Sequence, residues 1–175
     1  MADLNSQLDQ VRSKENFLEK VARFIPGYNG YVNRDNSREL DTLVRNTLAT
    51  NLDTNHVKLK NTVLNLSQRG MLFESDGIDK LDKKLQQVVN KFRSAARGYS
   101  GMFDVVKVKE DKLNQLYQFD VNLFGNVEGI SAACTEMETN SKSGVDIKPS
   151  IEKVSAVLDE IIKQFDSREA ILNSV

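Results

Sequence analysis

Two carboxylates interrupt helical stripes that are otherwise apolar. Glu15 lies among Leu4, Leu8, Val11, Leu18, Ala22 and Ile25, and Asp120 lies among Leu113, Leu116, Leu123, Val127, Ile130, Cys134 and Met137. Alternating steps of three and four place each set on one face of a helix. Up-and-down helices would bring the two carboxylates to one level of a bundle. Buried carboxylates can hold a metal, as in di-iron bundles, but those sites use several carboxylates with Glu-x-x-His pairs. The sequence has no Glu-x-x-His, and its nearest approach is Asp53 before His56. The plainer reading has Asp120 accepting bonds from an arginine or tyrosine, with Glu15 at the rim. No metal and no cofactor is expected.

His56 and Cys134 are the only histidine and the only cysteine, and the periodicity puts both on seams. A Cys–His nucleophile pair is conceivable. Neither a glycine-bounded nucleophile turn nor a third partner accompanies it. A buried cysteine otherwise behaves as a small apolar residue, and one Cys with one His does not make a zinc site. His56 joins Asp120 and Glu15 as an expected buried polar position.

Two glycine loops are the other candidate. Gly27-Tyr28-Asn29-Gly30-Tyr31 and Gly98-Tyr99-Ser100-Gly101-Met102-Phe103 each interrupt a helical pattern. Antiparallel connectivity puts both at one end of a bundle. Tyr28, Tyr31, Tyr99 and Phe103, with Arg34 and Arg97 nearby, are the expected partner-binding residues, because exposed loops on a rigid scaffold carry binding and tyrosine suits interfaces. The alternative is that the tyrosines only cover the bundle end. Neither loop has the pattern of a phosphate-binding loop, though the arginines leave room for an anionic ligand.

The elements that must position these residues are long helices. The spacing predicts helices over about 3–24, 37–68, 75–97, 109–138 and from Pro149 onward. The second carries the stripe Leu40, Val44, Leu48, Leu52, His56, Leu59, Val63 and Leu66. A bend is expected near Thr50–Asn55, whose residues are poor helix formers. Gly70 reads as a C-terminal cap. Thr139–Gly144 reads as the most linker-like stretch. Gly125 and Gly129, four apart, would weaken the fourth helix or admit a close neighbour. The whole predicts an all-α, up–down bundle of four to five long amphipathic helices in a single domain, 1–175.

Composition narrows the partners. The chain has 175 residues and a formal charge of −1, so no overall field recruits nucleic acid or an anionic membrane. No run reaches the roughly 18 apolar residues of a spanning helix. The opening Met1-Ala2-Asp3-Leu4 lacks the basic head and apolar stretch of a signal peptide. A cytoplasmic location is expected.

Ile25-Pro26-Gly27-Tyr28-Asn29-Gly30-Tyr31, Gly98-Tyr99-Ser100-Gly101-Met102-Phe103-Asp104 and Leu116-Tyr117-Gln118-Phe119-Asp120, in that order, resemble the marks of a family of uncharacterised all-helical prokaryotic proteins. After Tyr31 the chain departs from it, with the less charged Val32-Asn33-Arg34-Asp35-Asn36. The resemblance implies the helical fold and brings no activity, substrate or cofactor with it. The expected function is a non-enzymatic protein-interaction or scaffolding bundle, binding a protein partner or itself through the loop end or an exposed seam. Two alternatives stand: a peripheral membrane or anionic-surface binder using amphipathic helices, and a metal- or small-ligand-binding bundle using Asp120 and Glu15.

Overall fold

The computed structural model describes residues 19, 21–23, 25, 34–94 and 110–173. These form an all-α bundle: α1 (Arg34–Asp53), α2 (Asn55–Gln68), a short 3-10 turn (Leu72–Glu74), α3 (Ser75–Ser94), α4 (Glu110–Ser143) and α5 (Lys148–Asn173). Residues 21–23 are helical as well, and Val21 and Ile25 pack into the common core. The rest of the first expected helix lies outside the described residues.

α1 and α2 make one rod. Thr54, between them, keeps helical angles (φ −58, ψ −23), and its N–H still donates to Thr50 O at 3.2 Å. Side chains compete for the next carbonyls. Thr54 Oγ1 donates to Asn51 O at 2.7 Å, and Asn55 Nδ2 reaches both Asn51 O and Leu52 O at 3.2 Å. That competition loosens the ladder where the poor helix formers cluster.

The interruption goes with a change of register. The expected stripe put His56 and Val63 on the core side of the rod. Asn55 and Thr62 are the fully buried residues, with Leu59 and Leu66, while Val63 packs half-buried against the core. Both choices fit steps of three and four. Asn55 and Thr62 can be buried because each bonds a carbonyl one turn back: Asn55 as above, and Thr62 Oγ1 to Lys58 O at 2.8 Å. His56 is therefore at the edge of the seam, its side chain 14% exposed.

The rod ends on Gly70. Its φ of +73 is left-handed, where a Cβ would clash with the backbone. Met71 N–H bonds Leu66 O at 2.9 Å and Gly70 N–H bonds Ser67 O at 3.0 Å, the paired bonds of a Schellman cap. α4 ends the same way, on Gly144 (φ +77), with Val145 N–H bonded to Asn140 O at 3.0 Å. The expected linker at Thr139–Gly144 is thus the last turn of α4 and its cap. Hydroxyls hold it: Thr139 Oγ1 to Thr135 O at 2.9 Å and Ser141 Oγ to Glu138 O at 2.7 Å. Ser141 also accepts Asn65 Nδ2 from the rod at 2.9 Å, so packing decides where polarity suggested a break.

Cross-helix bonds fix the directions. Lys58 meets Ser131, and Asn65 meets Ser141, so the rod and α4 run parallel. Lys84 meets Ser155 and Lys91 pairs with Asp166, so α3 and α5 run parallel. Asn126 meets Gln164, so α4 and α5 are antiparallel. Around the bundle the order is rod, α3, α5, α4. Both short connections, after the rod and after α4, lie at one end, here called the tip. The start of the rod points the other way, as do the end of α3 and the start of α4.

Candidate functional site

Near the end opposite the tip, three helices bring four charged side chains into the core. Arg168 on α5 donates from Nε to Asp120 Oδ1 at 2.8 Å and from Nη2 to Asp41 Oδ1 at 2.5 Å. Asp41 Oδ2 accepts Arg45 Nε at 2.8 Å, one helical turn along α1. All four are buried, Asp120 completely. Among the described residues the cluster pairs two cations with two anions, and pairing of this kind offsets the cost of burying charge. Three of the four carboxylate oxygens are held by guanidinium groups: both oxygens of Asp41 and Oδ1 of Asp120. The arrangement ties α1, α4 and α5 together, including the diagonal pair α1 and α5. Asp41, Arg45 and Arg168 were not among the expected site residues. A signal existed for Arg168, which continues the stripe Leu158, Ile161, Phe165 by a further step of three.

His56 and Cys134 have separate settings. His56 Nδ1 is hydrogen-bonded to Asp82 Oδ1 on α3, and its Nε2 is 3.5 Å from Asp53 Oδ1. Asp53 in turn pairs with Arg93 at 2.9 Å. Histidine thus belongs to the polar edge between rod and α3. Cys134 is fully buried in the apolar core. Burial pushes its thiol up to about 11, and the nearby Lys58 ammonium offsets this only in part. A thiol is a nucleophile only as its thiolate. The native protein should therefore react with a thiol-specific disulfide reagent at pH 8 far more slowly than the denaturant-unfolded chain does. Equal rates in the two states would show the core open at α4. Because the folded thiol holds its proton beyond the ordinary 9.0, its contribution to stability is complete below pH 9 and is lost as pH rises towards 11.

Tyr28, Tyr31, Tyr99, Phe103, Arg97 and Glu15 lie outside the described residues, so the loop-end site and the Glu15–Asp120 pairing do too. Arg34 opens α1, with its side chain outside them as well. Gly125 and Gly129 are exposed on α4 and a Cβ on either would meet nothing within 4 Å, so no helix of the described bundle uses their small size. A groove of about 460 Å³ runs between α3 and α5 over Gly77, Leu81 and Ile151. Of its two lysines, Lys80 and Lys84, the second is occupied: Lys84 Nζ bonds Ser155 Oγ at 2.9 Å and Asp159 Oδ1 at 2.7 Å.

The surface carries a different signal. Among the described residues the exposed large apolar ones are Leu43, Val57, Leu64, Leu72, Phe73 and Val145, with Phe73 97% exposed. The first five belong to the rod or to the connection straight after it, and Val145 sits in the other tip connection. Arg69, just after the rod, donates from Nη1 to Lys142 O in the last turn of α4 at 3.0 Å. Sequence periodicity passed over Leu72 and Phe73, since the short apolar run Met71-Leu72-Phe73 in a turn has no period. Among the described residues, no helix is long and apolar enough to cross a membrane. No family model, no curated protein and no solved structure matches the chain.

Proposed function

We propose that this protein is a non-enzymatic interaction module, a rigid helical bundle that binds protein through the outer face of its rod and the adjoining tip. The observation that carries this is the placement of the exposed apolar side chains. Leu43, Val57 and Leu64 on the rod lead to Leu72 and Phe73 at the tip. Single exposed apolar residues are ordinary, but a concentration on one side marks contact surface. A phenylalanine ring almost wholly in water is a strong feature of such a surface, since aromatic anchors dominate binding energy. On α3 and α5 the outward positions include Asp79, Lys80, Lys83, Glu152, Lys153 and Glu160, a charged and solvated face.

The reading is tested by photo-crosslinking in cells. A photoreactive phenylalanine analogue replaces Phe73, Leu64 or, as control, Lys83. Protein adducts are expected from the first two and not from the third. Adducts at equal yield from all three, or from none, would overturn it.

A further inference from the structure

We infer that the outward face of the α1–α2 rod is where a second copy of this chain docks, antiparallel, across Val57. The inference rests on the interaction-module reading and names its partner. Leu43, Thr50, Val57 and Leu64 recur every seven residues; Thr54 divides one of those steps and Gln68 follows Leu64 by four, while Thr47 and Asn61, which divide the other two, are half-buried. The other six are exposed and none is charged. A spacing of alternating threes and fours makes a straight seam on a helix, which is the geometry a second helix packs against. The rod therefore has two seams, one filled by the core and one facing out. Interface cores are depleted in charge relative to the rest of a protein surface, and this seam fits that description where the outward faces of α3 and α5 do not.

The occupant follows from the two charges at the seam's margin. Asp53 and Lys60 lie on the same flank, are opposite in sign and are seven residues apart. A two-fold axis between positions 56 and 57 would set Asp53 of each copy against Lys60 of the other, with the two Val57 residues flanking the axis one helical rise apart, about 1.5 Å. A surface whose charges complement their own antiparallel image is what an isologous dimer requires. Asp53 keeps 39% of its side chain exposed while pairing with Arg93, so it remains accessible to a second cation. The seam from Leu43 to Gln68 is about 39 Å long at 1.5 Å per residue and about 10–12 Å wide. Its footprint is therefore about half of the roughly 800 Å² per partner of a standard interface. The dimer expected is weak, forming at micromolar concentrations and dissociating on dilution.

Sedimentation equilibrium of the intact chain over about 1 to 500 μM tests this, with the melting curve of each variant recorded to show that it folds. A reversible monomer–dimer equilibrium is expected. Val57→Glu sets two like charges beside the axis and should leave monomer at the highest concentration. Lys60→Glu and Asp53→Lys should each weaken the dimer about tenfold or more, and mixing the two variants should restore it, because the mixed pair has opposite charges at both contacts. A parent that stays monomeric throughout overturns the inference. So does a dimer that Val57→Glu leaves intact, or one that Phe73→Ser abolishes in its place. If the parent is monomeric while Phe73 and Leu64 still crosslink to other proteins, the second copy is wrong and the interaction-module reading stands. If both experiments are negative, that reading falls as well.

Discussion

Arg168→Met is expected to lower the melting temperature by about 6–20 °C. The change leaves Asp120 buried without the guanidinium that faces its Oδ1, and leaves Asp41 with one of its two arginines. Removing one partner of a buried ion pair costs about 3–5 kcal/mol, because the remaining charge is uncompensated. For a chain of this size, about 1 kcal/mol corresponds to about 2–4 °C. The double change Arg168→Met with Asp120→Leu should recover part of the loss. It removes one charge of each sign and leaves Asp41 with Arg45, a balanced pair at 2.7–2.8 Å. Thermal unfolding followed by circular dichroism reads both. An Arg168→Met protein that melts like its parent would mean that Arg168 does not hold the three helices together.

Phe92→Ala should be about as severe, for a different reason. The ring is fully buried and meets Phe165 edge-on, with centroids 4.8 Å apart and planes at 76°. The pair joins α3 to α5 in the layer next to the charged one. Truncating a buried phenylalanine to alanine costs about 3–5 kcal/mol, from lost apolar transfer and the cavity left behind. Val57→Ala, on the outward seam, should change stability by no more than about 0.5 kcal/mol, as surface changes do. Urea titration of the three proteins separates the outcomes, since the slope reports whether the unfolding unit is unchanged. If Phe92→Ala shifts the midpoint no more than Val57→Ala, then α3 does not dock on α5 as described.

Local chemistry determined the parts of this fold that depend on near neighbours in the chain. Ile78, Leu81, Leu85, Val88 and Phe92 line one face of α3 and all are buried, because the helix period alone puts them together. Gly70 ends the rod because only a residue without a Cβ takes its positive φ freely. Asp120 was legible as a carboxylate on an apolar seam, with an arginine or tyrosine as the kind of partner it needs. Which arginine was not legible. Arg168 lies 48 positions further along the chain, and its second partner Asp41 lies 127 positions before it. Periodicity assigns a residue to a face of its own helix and says nothing about what faces it across the core. The same limit explains Asn55 and Thr62, where two registers fit the pattern equally and only packing, with polar side chains bonded to their own backbone, selects one. It explains the order of helices around the bundle, since each seam is compatible with any other apolar seam. It also explains Phe73, whose near-complete exposure depends on where the tip folds and not on the residues beside it. What a helix buries follows from the sequence where a single register fits, as on α3; what each buried or exposed side chain meets was decided by the tertiary structure, because those partners come from distant parts of the chain.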